Sequence, residues 1–137
     1  MGLFSGSRPE NLGAMDGRLA PCKRTPNCVS SQADAHQDPG HYIAPIRITG
    51  PARGVWAALK ALLRSAPRVS LVADKENYLY AEFASRTMGF VDDVEFLLDE
   101  KAGVIHVRSA SRLGRSDFGV NRDRIETIRS RIATAAK

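Results

Sequence analysis

No stretch of this chain approaches the roughly 20 consecutive apolar residues that a helix needs to cross a bilayer, which excludes a helical membrane span. Heptads and internal repeats are also missing, so coiled coils and solenoids are set aside. The start, MGLFSGSRPENLG, lacks a basic flank followed by a long apolar stretch, and so predicts no secretory signal. Gly6 stands where N-myristoylation requires Ser or Thr. The expected location is therefore the cytoplasm, with envelope association through a partner as the alternative. Cysteine is scarce: Cys22 and Cys28 are the only two, with five residues between them. That spacing fits neither a CxxC redox pair nor zinc ligand pairs separated by two to four residues, and two cysteines do not complete a structural zinc site. A disulfide between them is geometrically accessible but would be unusual in the cytosol.

What remains is an ordinary globular composition. The 137 residues are 43% apolar and 26% charged, enough for one domain with one core. The net charge of +5 is uneven: residues 1–40 carry four basic and four acidic side chains, and residues 41–137 carry 16 against 11. Such an excess permits an anionic partner without specifying one.

The first forty residues, rich in Gly, Pro, Ser, Asn and Asp, show no periodicity and predict an irregular N-terminal segment packed on the domain. Residues 41–137 form the α+β domain. Tyr42 to Ile48 alternates as a strand, held to an edge by Pro45. Pro51 then opens a helix whose apolar face is Val55, Leu59, Leu62 and Leu63. Four strands follow, Arg68 to Asp74, Asn77 to Ser85, Phe90 to Asp99 and Gly103 to Ala110, joined by short turns that suit antiparallel hairpins. Leu79, Ala81 and Phe83 face one side of the second strand, with Tyr78, Tyr80 and Glu82 on the other. A last helix runs from about Arg122 to Ala135, with Asn121 as N-cap and Ile125, Ile128 and Ile132 as its stripe. The expected fold is a single antiparallel sheet with both helices packed on one face.

The densest polar stretch is GFVDDVEFLLDEKAGVIHVRSASRLGRSDFGVNRDR. If a tight hairpin pairs Phe96 with Ile105, Glu95 lies opposite His106 and Asp93 opposite Arg108. Opposed Cβ atoms lie about 4.5–5.5 Å apart, close enough for contact. The simple outcome is two ion pairs on a solvated face. The sharper one is a divalent-cation or acid/base site of Asp93, Glu95 and His106. Downstream, seven Arg, no Lys and three acids lie between Arg108 and Arg131. Ser109, Ser111 and Ser116 are interleaved with Arg112 and Arg115 before a helix N-terminus, which suits either a phosphate or carboxylate or a loop braced against the sheet. Arg122 and Arg124 oppose the dipole of that helix, a repulsion that Asp92, Asp117 or a bound anion can offset. Nucleic acid is a poor fit, since Phe118 is the only aromatic in the loop. In the first part, PNCVSS reads as a local turn, and Cys28 as a nucleophile would need one of His36, His41 or His106 beside it.

Taken together, APCKRTPNCVSSQ, HYIAP, GFVDDVEFLLD and GVIHVRSASRLGRSDFGVNRDRIETIR resemble an uncharacterised bacterial family, the domain of unknown function numbered fourteen ninety-nine. The resemblance spans Asn11 to Ile132. Its motif positions fall here on Pro26, Asn27, Cys28, Ser30 and Ser31. They continue through Asp92, Asp93 and Glu95, then Arg108, Ser109, Ser111, Arg112, Asp117, Asn121, Arg122 and Ile125. The resemblance implies no activity. It implies that the N-terminal segment belongs with the domain, and that PNCVSS packs near the polar sheet face or the arginine loop.

The leading functional expectation is a small, non-enzymatic binding or interaction domain for an anionic ligand or a protein. Its site would draw on Asn27, Cys28, Ser30, Ser31, Asp93, Glu95, Arg108, Ser109, Ser111, Arg112, Asn121 and Arg122, with no metal or cofactor. The alternatives are a small hydrolase using Cys28 or Asp93, Glu95 and His106, and a carrier of an apolar ligand between sheet and helices.

Overall fold

Val94, Phe96 and Leu98 alternate with Asp93, Glu95 and Leu97, and this period of two builds the central strand of the protein. The computed structural model describes residues 5–135. Its elements in chain order are β1 (Ala14–Met15), β2 (Arg18–Leu19), β3 (Cys28–Ser30), β4 (Ile46–Arg47), α1 (Ala52–Ser65), β5 (Val69–Asp74), β6 (Tyr78–Ala84), β7 (Val91–Asp99), β8 (Val104–Ser111) and α2 (Val120–Ala135). The main sheet runs β3-β8-β7-β6-β5, all antiparallel, and β4 also pairs with β8; β1 and β2 form a separate hairpin.

Both helices lie on one face of the sheet, as the apolar stripes require. Val55, Trp56, Leu59 and Leu63 of α1 and Ile125, Ile128 and Ile132 of α2 pack on Leu79, Ala81, Val94, Phe96, Ile105 and Val107. Leu59, Leu63, Phe96 and Ile105 have no exposed surface. Burying each such side chain is worth about 1.5–3 kcal/mol, so this layer carries most of the driving force for folding. These side chains form one continuous core between the sheet and the helices.

Four expectations require correction, the first being the local turn read in PNCVSS: Cys28–Ser30 is instead a strand, paired with β8. The strand expected over Tyr42 to Ile48 is reduced to Ile46–Arg47, plus a lone bridge from Tyr42 to Ser30. Pro45 has no N–H to pair, and its carbonyl and that of Ala44 instead accept the Arg129 guanidinium at 2.7 and 2.8 Å. The β7–β8 turn is two residues longer than the tight form: Asp99 pairs with Val104, leaving Glu100 to Gly103 as the loop. Gly103 closes it at φ +70°, a conformation that side chains disfavour, while Asp99 accepts the Ala102 N–H at 3.0 Å. Phe96 therefore faces Val107, Glu95 faces Arg108, and Asp93 faces Ala110. Finally, α2 starts at Val120, which places Asn121 inside its first turn rather than at the cap. The Asp117 carboxylate serves the helix start instead, accepting Gly119 N–H at 2.9 Å and Asn121 N–H at 3.0 Å.

Candidate binding cleft

A slip of two residues changes partners but not faces, so Asp93, Glu95, His106 and Arg108 still share one side of the sheet. That side is not solvated. The segment from Ser5 to Leu19 lies across it, and Asp93 and Glu95 are 1% and 0% exposed. Leu12 and Leu19 pack there on Tyr78, Tyr80 and Leu97 as a second, small apolar cluster. Neither expected pair, Glu95 with His106 or Asp93 with Arg108, is made: Glu95 faces Arg108 and Asp93 takes Arg112, and both carboxylates are buried rather than solvated.

Buried carboxylates need partners, and the cover supplies them. Asp93 receives Arg112 through both oxygens, Nε at 2.9 Å and Nη2 at 2.8 Å, and Tyr80 donates its hydroxyl to the same carboxylate at 2.5 Å. Arg112 also reaches Glu82 at 2.5 Å and the Ser5 carbonyl at 3.3 Å. Arg8 completes this group with a 2.9 Å bond to Glu82. The hydrogen bond from Arg8, assisted by Arg112 and Tyr80 and opposed by burial, holds the Glu82 carboxyl down at about 2. Two residues along the same strand, Glu95 Oε2 accepts the Tyr78 hydroxyl at 2.5 Å and the Gly13 N–H at 2.7 Å. Gly13, at φ +106°, brings bare backbone against the carboxylate in a conformation that suits glycine. Burial, then the bond to Glu95, pushes the Tyr78 hydroxyl well above its usual range.

Arg108 differs from Arg112. It is 5% exposed, yet its Nη1 lies 3.7 Å from Glu95 Oε1, and its firmest contact is Nη2 to the Pro21 carbonyl at 3.3 Å. Among the described residues, Arg108 Nε and Glu95 Oε1 are buried without a hydrogen-bond partner. Beside Arg108 opens a cleft of about 490 Å³ between residues 7–11, the cysteine segment and the end of β8, with Arg8, Lys23, Asn27 and Ser111 also on its wall. Cys28 lines it too, joined to Cys22 by a disulfide, so neither sulfur is a thiolate. The disulfide closes the loop that carries Lys23, and Asn27 anchors that loop through Nδ2 to the Gly114 carbonyl at 2.8 Å.

On the helix side a second polar group is built around Asn121, which is fully buried. Its amide oxygen accepts Ser109 Oγ at 2.6 Å and Arg124 Nη1 at 2.8 Å, and its nitrogen lies within reach of Asp117, Ser111 and the Asn27 carbonyl at 2.7, 2.9 and 3.2 Å. Arg124 reaches Asp92 at 2.7 Å and stacks over Phe83 at 4.9 Å. The repulsion between Arg124 and the helix dipole is thereby answered within the protein. Arg122 points elsewhere, to the Gly40 carbonyl at 3.2 Å.

The two engaged histidines titrate in opposite directions. His41 places Nε2 at 2.8 Å from the Thr25 carbonyl and Nδ1 at 2.9 Å from Asp38. The bond to Thr25 raises its pKa first, Asp38 adds to it, and burial opposes both. His106 is lowered by burial, with Asp99 opposing and Arg18 assisting, and its Nδ1 lies 3.1 Å from Ser31 Oγ. Proton NMR titration of the imidazoles should find His106 titrating below the ordinary 6.5 and His41 above it. His41 then stabilises the fold below its unfolded pKa and loses that contribution as pH rises through its folded value. His106 acts the other way: its stabilisation is present above its unfolded pKa and is lost as pH falls through the folded one. A reversed order would contradict the bond of His41 to Thr25 and the burial of His106.

Of the residues anticipated from the sequence, Asn27, Cys28, Asp93, Arg108, Ser111 and Arg112 meet at the one cleft. Glu95 lies beneath it, paired to Arg108. Ser30 and Ser31 sit further along β3, where Ser31 Oγ accepts Val107 N–H at 2.9 Å. Ser109 faces α2, where it bonds Asn121 of that helix, and Arg122 stands apart. His106 faces Leu97, not Glu95, and among the described residues no three His, Cys, Asp or Glu side chains form a set of metal ligands. The expected grouping of Asp93, Glu95 and His106 is therefore not made. Arg8 and Lys23, in stretches without periodicity, were missed. Tyr78, Tyr80 and Glu82 carried a signal, since three polar tips alternate on the side of β6 that faces Asp93 and Glu95.

An antiparallel sheet covered by two helices on one face and by an irregular, disulfide-closed segment on the other defines a small α+β protein with a polar cleft under that segment. The chain belongs to the family described as protein of unknown function (DUF1499), whose pattern it matches over residues 18–132. No curated protein and no solved structure matches it.

Proposed function

We propose that the protein is a non-enzymatic binding domain whose cleft takes a small anion, a carboxylate or phosphate, on Arg108 and Lys23. The observation that carries this reading is Arg108: buried, loosely paired, with Nε unpartnered among the described residues, and on the wall of an open cleft. An unmet guanidinium N–H in a buried site is costly, and an anion of suitable shape would relieve it. The hydrolase alternative has little support, because Cys28 is tied to Cys22 and the oxygens of Asp93 and one oxygen of Glu95 are already bonded. The disulfide favours an oxidising compartment, and so the envelope over the cytoplasm. Among the described residues no helix is long and apolar enough to cross a membrane.

Titrating inorganic phosphate and succinate into isotope-labelled protein should shift the Arg108 Nε–H and Asn27 side-chain amide signals. Arg108→Lys, which keeps the charge but loses the planar fork, should weaken binding about ten-fold. Signals at the cleft that ignore both anions would remove the reading.

A further inference from the structure

The cleft does not account for the end of the sheet at which it lies. Val69 pairs with Phe83, Ala84 with Val91, Asp92 with Ser111, and Ala110 with Cys28, so one row of residues crosses the whole sheet at that end. Four loops leave from this row: residues 23–27, 66–68, 85–90 and 112–119. Of seven exposed large apolar side chains among the described residues, five belong to these loops or the residue that follows them. Met88 and Phe90 lie before β7, and Leu113, Phe118 and Val120 lie between β8 and the body of α2. Phe118 is 94% exposed and is held at φ +53°, a left-handed conformation that a bulky residue rarely adopts.

The same loops are basic. Lys23, Arg24, Arg68, Arg86 and Arg115 are all exposed, and among the described residues none of the five forms an ion pair. Asp117 is the only acid in the four loops, and its carboxylate is occupied by the start of α2. The opposite end is built differently. There Arg53, at the start of α1, is neutralised by Glu100 at 2.6 Å and Glu76 at 3.6 Å.

We propose that this end of the sheet, where β8 stops and α2 begins, docks on the surface of an anionic lipid bilayer. Phe118, Leu113 and Val120 would enter the headgroup layer, and the five unpaired cations would lie against the lipid phosphates. The charge pattern selects this occupant. Apolar cores of protein interfaces are depleted of lysine and carry a polar rim of both signs. Here isolated apolar tips are interspersed with cations of one sign, which is the pattern of interfacial membrane binding. Each cation held near such a surface multiplies partitioning by about five-fold, and salt reduces the gain. Lys23 is shared with the cleft, but neither Phe118 nor Arg115 lines it, so substitutions at those two test the docking end alone.

The test is flotation of the oxidised full chain with vesicles, at low and at physiological salt. The vesicles are an equal mixture of phosphatidylglycerol and phosphatidylcholine, or phosphatidylcholine alone. The protein should float with the mixed vesicles, less so as salt rises, and stay behind with phosphatidylcholine. Phe118→Asp should weaken binding roughly ten-fold or more, because it removes an aromatic ring from the apolar layer. Arg115→Glu should reduce it by a comparable factor. Both side chains are exposed, and circular dichroism of each variant checks that the fold is retained. Met15→Asp, at another well-exposed apolar position, on the β1–β2 hairpin, should leave flotation unchanged. No flotation with the mixed vesicles at low salt, equal flotation with phosphatidylcholine alone, or flotation indifferent to Phe118→Asp and Arg115→Glu would each overturn the proposal; a protein bound at this end in place of lipid is the reading that the first of these would leave.

Discussion

Asp93→Ala should lower the free energy of unfolding by about 3–5 kcal/mol, measured by urea denaturation, because it removes one member of a buried charged group and strands the other. Arg112 would keep Glu82 but lose two of its firmest bonds while remaining 6% exposed, and the Tyr80 hydroxyl would lose its nearest acceptor. The size of the effect follows from that abandonment rather than from any large net worth of the intact pair. Replacing Asp93, Arg112 and Tyr80 together by apolar residues of similar volume should therefore cost less than Asp93→Ala alone. Glu126, whose bond to Arg129 lies on the exposed face of α2, provides the contrast: Glu126→Ala should change stability little. A near-neutral Asp93→Ala would mean that water reaches Arg112 freely, contrary to the cover described.

The second large effect concerns the disulfide. Converting both Cys22 and Cys28 to Ser should cost about 2–3 kcal/mol, the amount expected from releasing a short closed loop in the unfolded chain. The consequence should also reach the cleft. The Pro21 carbonyl accepts Arg108, Thr25 holds His41, and Asn27 ties the loop to Gly114, so three anchors sit on or beside the residues the disulfide encloses. Amide hydrogen exchange should accelerate across residues 22–27 of the double variant, while the amides of β6 and β7 stay protected. Uniform acceleration everywhere would show instead that the loop and the sheet open as one unit.

The sequence announced the helix-bearing side of the sheet far better than the other. Val94, Phe96 and Leu98 alternate cleanly, Leu59 and Leu63 fall on one helical face, and Ile125, Ile128 and Ile132 repeat with the helix, so local period reported burial directly. The opposite face misled because its cover has no period. Asp93 and Glu95 alternate with apolar residues as solvated positions do, and the segment that buries them consists of turns and strands two or three residues long, too short for alternation to register. The pairing of β7 with β8 hinged on a turn whose length composition alone could not settle, and Gly103 is the residue that lengthened it. Asn121 carried the preference of its residue type for helix caps, yet tertiary partners on three elements drew it into a buried position instead. For the cleft, the polar residues of β7 and β8 and the Asn27–Cys28 turn were legible as a group. Their closeness in space came only as an implication of the family resemblance, because it depends on β3 adding beside β8 at a sequence separation of 82 between Cys28 and Ala110.

That last pairing also has a meaning in time. Residues 28–30 leave the ribosome early, but the backbone edge they complete does not exist until residues 108–110 have been made and have joined β7. The first quarter of the chain must therefore wait for the last, and the long loop closed between them slows the step that seals the sheet. Leu12 and Leu19, the final cover of Tyr78, Tyr80 and Leu97, belong to the same stretch of chain that this late pairing anchors.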